Sequence, residues 1–220
     1  MEEGEYLYPP PSNSESTLSH NILPGIVAEQ KYIHLRRAKK LISSCKDFVV
    51  CDVETTGFSP RYGDRIIEIA YQKYRIHDDE LKKIGKTHCF FVNPGRSIPQ
   101  VVQELTGITD AKVKDGVSQS KAKESFKKFL GDNIIVGHNF QFDLRFLNYR
   151  FRDKIKGDKV VDTLHLSKIY EERKDLDFSN SLDAVATELG VVGRVDGVHS
   201  ASVDIDITAK IFHRVMKKLV

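Results

Sequence analysis

Phe48-Val49-Val50-Cys51-Asp52-Val53-Glu54-Thr55-Thr56-Gly57 is an apolar run that closes on two acids, and its reading decides the fold. Four apolar residues in a row read as a buried first strand. Side chains alternate along a strand, so Asp52 and Glu54 share one side. Two carboxylates that close repel each other unless something cationic neutralises them. A hard divalent cation does this with oxygen ligands; the alternative is a plain acid pair at a surface strand end. Gly57 allows a sharp turn and the approach of a ligand to the backbone.

Working outward, the pattern predicts a second strand over 65–76, with Ile67, Ile69 and Tyr71 alternating against polar partners. A third strand is expected over 88–92, ended by Asn93-Pro94-Gly95. A short helix over 100–105 and a turn over 106–110 follow, then a helix over 118–130. Ile134-Ile135-Val136 and Val160-Val161 read as the fourth and fifth strands. Further helices are expected over 142–151, 163–170, 181–189 and 201–219. Strands in succession, then strands alternating with helices, imply an α/β chain with a mixed sheet covered by helices.

Two other segments carry acids beside apolar residues. His138-Asn139-Phe140-Gln141-Phe142-Asp143 follows the fourth strand. Asp143 in a first helical turn has an ordinary explanation, the positive end of the helix dipole. His199-Ser200-Ala201-Ser202-Val203-Asp204 opens the last helix. Its spacing allows His199 and Asp204 to point into one cleft; the alternative is a capping segment, with Ser200 or Ser202 as the cap. Asp206 is expected on the surface, and Asp162 is a weaker candidate for a supporting role.

The formal net charge of +3 permits a nucleic-acid partner without arguing for one, and 40% hydrophobic residues can bury a sizeable core. Cys45, Cys51 and Cys89 lack metal-ligand spacing and read as buried or partly buried reduced thiols of a cytoplasmic protein. No apolar run approaches the roughly 18 residues that span a membrane, and the acidic N-terminus lacks a signal-peptide core. Pro9-Pro10-Pro11 and the serines after it predict a disordered tail over 1–25. Lys31, Arg36, Arg37, Lys39, Lys40 and Lys46 then mark a basic helical extension over 26–46. It reads either as an arm for a phosphate backbone or as a solvated helix face. The main domain is expected over 47–220.

Taken together, Asp-x-Glu-Thr-Thr-Gly, His-Asn-x-x-Phe-Asp and His-x-x-x-x-Asp resemble the DEDDh exonucleases, the group that holds the proofreading subunit of bacterial replicative polymerase. Asn93-Pro94-Gly95, Thr106-Gly107-Ile108-Thr109-Asp110 and Ser181-Leu182-Asp183-Ala184 agree with that resemblance. It implies an RNase H-like fold with a five-stranded mixed sheet. It also implies 3′–5′ hydrolysis with two divalent ions, Mg²⁺ or Mn²⁺, held by Asp52, Glu54, Asp143 and Asp204. His199 would take the proton of the attacking water. Thr55, Thr56, Gly57, His138, Asn139 and Phe142 would bind the terminal nucleotide, Phe142 having core packing as its alternative. The implied partners are DNA 3′ ends, with RNA 3′ ends and a DNA polymerase as further candidates. The chain ends at Val220, so the expectation is that it works alone or makes its contacts through residues 1–45. A non-catalytic nucleic-acid scaffold is the reading from a different class, and the intact acid set argues against it.

Overall fold

The computed structural model describes residues 24–44, 46–152, 154–194 and 197–220. The expected tail lies outside the described residues except for its last two positions, and Cys45 lies outside them altogether.

β1 (Phe48–Thr55), β2 (Ile66–His77), β3 (Glu80–Phe91), β4 (Ile134–Gly137) and β5 (Val160–Asp162) form one sheet in the order β3-β2-β1-β4-β5. β1–β2 and β2–β3 are antiparallel, and β1–β4 and β4–β5 are parallel. The mixed five-stranded sheet expected from the sequence is present. Before β1 comes α1 (Pro24–Ser43); α2 (Gln100–Thr106), α3 (Asp110–Val113) and α4 (Gln119–Leu130) precede β4. Next are α5 (Gln141–Asn148), α6 (Thr163–Lys174), α7 (Leu182–Glu188) and α8 (Ala201–Leu219).

β1 is apolar because both its faces are covered. Phe48 and Val50 meet Val161, Ile205 and Phe212 on one side. Val49 and Cys51 meet Phe126, Leu130 and Phe146 on the other. Each large side chain buried in this way contributes roughly 1.5–3 kcal/mol.

β2 departs from the expected alternation. Ile66, Ile67, Ile69, Ala70 and Tyr71 are all buried, and so are Glu68 and Gln72. β2 lies between β1 and β3 with helices over it, so neither face of 66–72 meets solvent, whereas Arg75 and His77 further along are exposed. β3 starts at Glu80, eight residues before the expected strand over 88–92. Asp78 and Asp79 both have positive φ (49° and 62°) and make a two-residue hairpin turn between the paired His77 and Glu80. As the edge strand, β3 carries Lys82, Lys83 and Lys86 rather than an apolar alternation, which blunts the edge. Its exposure also corrects the reading of Cys89, which is exposed and donates through Sγ to Glu68 Oε1 at 3.4 Å. Cys51 is buried as expected.

α1 covers the opposite edge. Leu35, Ala38 and Leu41 are buried. Arg37 donates to the carbonyl of Val160 at 3.0 Å and to that of Gly157 at 3.1 Å. His34 Nδ1 accepts from the Asp162 N–H at 3.0 Å. These side chains satisfy the outer rim of β5, as a sixth strand would. Burial lowers the His34 pKa to about 4, keeping the ring neutral and able to accept. Lys31 is ion-paired with Glu172. The helix is therefore half-buried structure, with its solvated face confined to residues such as Arg36, Lys39 and Lys40. Among the described residues, no helix is long and apolar enough to cross a membrane.

Candidate active site

Asp52 and Glu54 leave the C-terminal half of β1 on one side, as alternation requires. Asp143, in the first turn of α5, does more than answer the helix dipole. It is buried, and its Oδ1 accepts from the Val53 N–H at 3.0 Å, between the two acids of β1. The β4–α5 turn that aims it is held by Asp162. That carboxylate accepts from the N–H groups of Asn139 and Phe140 at 2.9 Å each, and from that of Leu164 at 3.0 Å. Asn139 has φ of 53°, a left-handed position that asparagine tolerates. Gly137 is required there: a Cβ would stand 2.4 Å from Cδ2 of Phe140.

Asp204 sits in the first turn of α8, 4% exposed. Ser200 is the N-cap but makes no capping bond with its side chain. Glu68 of β2 takes that role instead, its Oε2 accepting from the Ala201 N–H at 2.8 Å. His199 precedes the helix, with its N–H on the Leu105 carbonyl at 3.1 Å. Asp206, expected on the surface, is a bridge: it accepts from the Tyr74 hydroxyl and, at 2.7 Å, from Lys83. Two residues beyond Asp204, the turn of the helix swings it toward β2 and β3.

One cavity of about 320 Å³ gathers Asp52, Glu54, Asp143, His199 and Asp204, with His138, Asn139 and Phe142 on its walls. Ligand atoms of Glu54, His199 and Asp204 lie within 4.8 Å of one another. This donor set, mostly carboxylate oxygen, suits a hard divalent ion. Burial drives the acids upward in pKa. Asp52 and Asp143 are raised well above the usual carboxylate range, first by burial and then, for Asp52, by the Asp143 charge. Glu54 is pushed up to about 7 by burial, Asp204 and Glu68. Four acids in one cleft need added positive charge to ionise together.

Part of that charge comes from the chain itself. Arg194 donates through Nε to Asp204 Oδ1 at 2.9 Å and through a terminal nitrogen to Oδ2 at 2.5 Å. Its other terminal nitrogen reaches Asp183 Oδ2 at 2.5 Å. The same guanidinium helps burial lower the His199 pKa, against the pull of Asp204 and Asp183.

The remaining sequence candidates divide. His138 is locked: Nε2 donates to the Asn180 carbonyl at 2.9 Å, and Nδ1 lies 2.9 Å from Thr163 Oγ1, whose hydroxyl also reaches the Gly137 carbonyl at 3.0 Å. Phe142 lines the cavity and also packs on Phe146 at 5.1 Å between ring centroids. Thr55, Thr56 and Gly57 do not line it. Thr55 donates to the Gly57 carbonyl, and Thr56 accepts from the Arg65 N–H and bonds Asp64, so both hydroxyls serve the turn. Arg194, Glu68, Asn180 and Leu182 are site residues that sequence reasoning missed. Ser181-Leu182-Asp183-Ala184 carries a signal in the sequence only through the family resemblance, and Glu68 carries no local signal.

The sequence model of a family described as Exonuclease, of the RNase T type, matches residues 49–212. The chain is 33% identical over 179 residues to the "3'-5' exonuclease DinG" of Bacillus subtilis, covering 78% of this chain and 18% of that protein. It is 35% identical over 176 residues to a "DNA polymerase III subunit epsilon-like protein" of Rhodobacter capsulatus, covering 78% of this chain and 24% of the relative. The chain thus spans about a fifth to a quarter of these relatives. Among solved structures, Exonuclease I of Methylocaldum szegediense aligns with a TM-score of 0.63 at 19% identity, over 79% of this chain and 41% of that one. Cell-death related nuclease 4 aligns with a TM-score of 0.65 at 17% identity, over 78% and 64%. These structures share the fold.

Proposed function

The chain belongs to this exonuclease family, and on that premise we propose that it is a metal-dependent 3′–5′ exonuclease releasing 5′ mononucleotides from DNA ends. The observation that carries the reading is the convergence of Asp52, Glu54, Asp143, Asp204 and His199 in one cavity from three separate segments. The names of the relatives, a 3′–5′ exonuclease and a polymerase III epsilon-like protein, support DNA as the substrate and a DNA polymerase as a partner.

Asp52, Glu54, Asp143 and Asp204 would hold two Mg²⁺ or Mn²⁺ ions, which when bound supply charge to the phosphate and acidify the attacking water. Asp143 is kept in place by the Val53 N–H, and Asp204 by a helix start that rests on Glu68. His199 takes the proton of the water at a ring nitrogen. Burial and Arg194 lower its pKa, so the imidazole is neutral and ready to accept near pH 7. Phe142 and Asn139 bear on the terminal nucleotide, the locked His138 fixes the turn beneath them, and Thr55, Thr56 and Gly57 hold the turn that follows Glu54. Cys51 and Cys89, both free, fit a reducing cytoplasm.

The test is stepwise shortening of 5′-labelled single-stranded DNA, mispaired duplex DNA and single-stranded RNA with Mg²⁺, beside Asp52→Ala. Shortening of DNA that the variant lacks, with its fold retained, is the expected result. Shortening of RNA alone would move the substrate to RNA ends. An active Asp52→Ala protein would refute the site.

A further inference from the structure

Beyond the far end of α5 lies a second cavity, of about 230 Å³, lined by charges of the opposite sign. Arg65, Lys123 and Arg150 line it together with Gln119, Tyr149 and Phe151, and among the described residues no carboxylate does. The two guanidiniums bracket one ring: Arg65 stands 5.6 Å and Arg150 5.3 Å from the Tyr149 centroid. Lys123 is 8% exposed and spends one N–H on the Tyr149 carbonyl at 2.7 Å. Arg65 donates to the carbonyls of Asp64 and Pro60. Carbonyls and a ring face orient these cations without neutralising them. Burial, then the Arg65 charge, holds the Lys123 pKa down at about 8. Three cations brought together at a concave, partly buried place repel one another until an anion enters.

Two features say which anion. The cavity adjoins a second basic hollow that shares Arg150 and Phe151 and adds Lys128 and Arg152, with Glu124 as its one acid among the described residues. Cations interleaved with Tyr149 and Phe151 suit a strand with phosphates and base faces. Position is the other feature. Asp143 and Tyr149 are joined by α5, and six residues at the helical rise set them about 9 Å apart along its axis. At about 3.4 Å per nucleotide along a stacked strand, that is up to roughly three nucleotides, and fewer where the strand is extended. Arg145, over the Phe142 ring at 5.6 Å, stands between.

We propose that the Arg65–Lys123–Arg150 cavity is an anion site that takes a backbone phosphate of the substrate strand about one to three nucleotides from its reacting end. The proposal rests on the exonuclease reading for the identity of the strand. The site is separate from the metal cleft and acts on affinity, leaving the chemical step alone.

The experiment compares the full chain with Arg150→Gln, Arg150→Glu and Lys123→Met. Binding of a long 5′-labelled oligothymidylate is read by fluorescence anisotropy in EDTA across a salt series. Hydrolysis of that oligomer and of the thymidine dinucleotide is read with Mg²⁺. Arg150→Glu should weaken the long oligomer about tenfold and flatten the salt slope by about one, with the neutral variants in between. KM for the long oligomer should rise at constant kcat, and dinucleotide kinetics should not move. Equal losses on dinucleotide and oligomer, or unchanged oligomer binding, would overturn the site. Competition by millimolar inorganic phosphate as strong as that by the oligomer would make it a free-phosphate site and overturn the strand assignment. If the wild-type protein shortens no substrate, the exonuclease reading fails by itself, because the anisotropy arm still decides the anion site.

Discussion

Arg194 already holds the carboxylate that a divalent ion would need if Asp204 is to be a ligand. Its guanidinium takes both oxygens of that carboxylate, and the two side chains are 6% and 5% exposed. A metal at Asp204 would compete with this internal cation for the negative charge of the carboxylate. Arg194→Ala should therefore tighten Mg²⁺ or Mn²⁺ affinity on the order of tenfold, read by titration calorimetry. It should also cost the metal-free protein about 3 kcal/mol, because a buried charge loses its partner. Affinity that stays the same or weakens would show that Arg194 does not compete. The acids themselves set a pH dependence. Glu54 titrates at about 7 when folded, against an ordinary value of 4.5. A raised folded pKa means the folded state holds a proton that the unfolded chain releases. That contribution is fully present below pH 4.5 and is lost as pH rises through about 7. In EDTA, the urea midpoint should fall between about pH 5 and about pH 7.5, and Mg²⁺ should reverse the trend. A midpoint that climbs over this range in EDTA would contradict the arrangement. Asp52, Glu54, Asp143 and Asp204 were legible in the sequence because each acid borders an apolar run that forces it into the interior. Arg194 was not, since a lone arginine in a Gly-containing loop reads as solvated until Asp183 and Asp204 are seen on either side of it. Glu68 was hidden likewise, its partner Ala201 being 133 positions away.

At the scale of elements, the β4–α5 turn decides whether Asp143 reaches β1. Asp162 closes that turn from the end of β5 by accepting from two of its backbone N–H groups, and it caps α6 by accepting from a third. Burial raises its pKa to about 6 in spite of those donors. Asp162→Ala leaves the three donors without their acceptor and should cost about 2–3 kcal/mol, measured by urea denaturation. It should also lower kcat, by loosening Asp143. Asp162→Asn, which keeps acceptor oxygen, should lose less of both. Wild-type stability in the alanine variant would refute this role. Elements built on strong local periodicity were read well: α8 spans 201–219 as expected, and α4 begins one residue past its Ser118 cap. The front of β3 was not, because an edge strand has no buried face to impose alternation and its two-aspartate turn lacks the usual glycine. The segments 106–110, read as a turn, and 181–184, read as a helix start, mark real boundaries, the end of α2 and the cap of α7.

At the scale of the molecule, the sheet separates two tasks. Its C-terminal strand ends, with α5 and α8, form the acidic cleft, while the hairpin β2–β3 widens the sheet away from it. The family match runs from 49 to 212, yet the folded body starts before and ends after it. Val215, Met216 and Leu219 are buried beyond one limit, and Leu35, Ala38 and Leu41 before the other. This bears on anyone who trims the protein to its recognised portion. Without α1, the rim of β5 would offer the Val160 carbonyl and the Asp162 N–H to whatever strand came near, beside freshly bared apolar surface. An exposed strand rim invites pairing with a second chain. A version lacking residues 24–43 should scatter light and pass into the pellet where the intact chain stays clear. The twenty residues that carry no part of the nuclease signature would then be the ones that keep its bearer in solution.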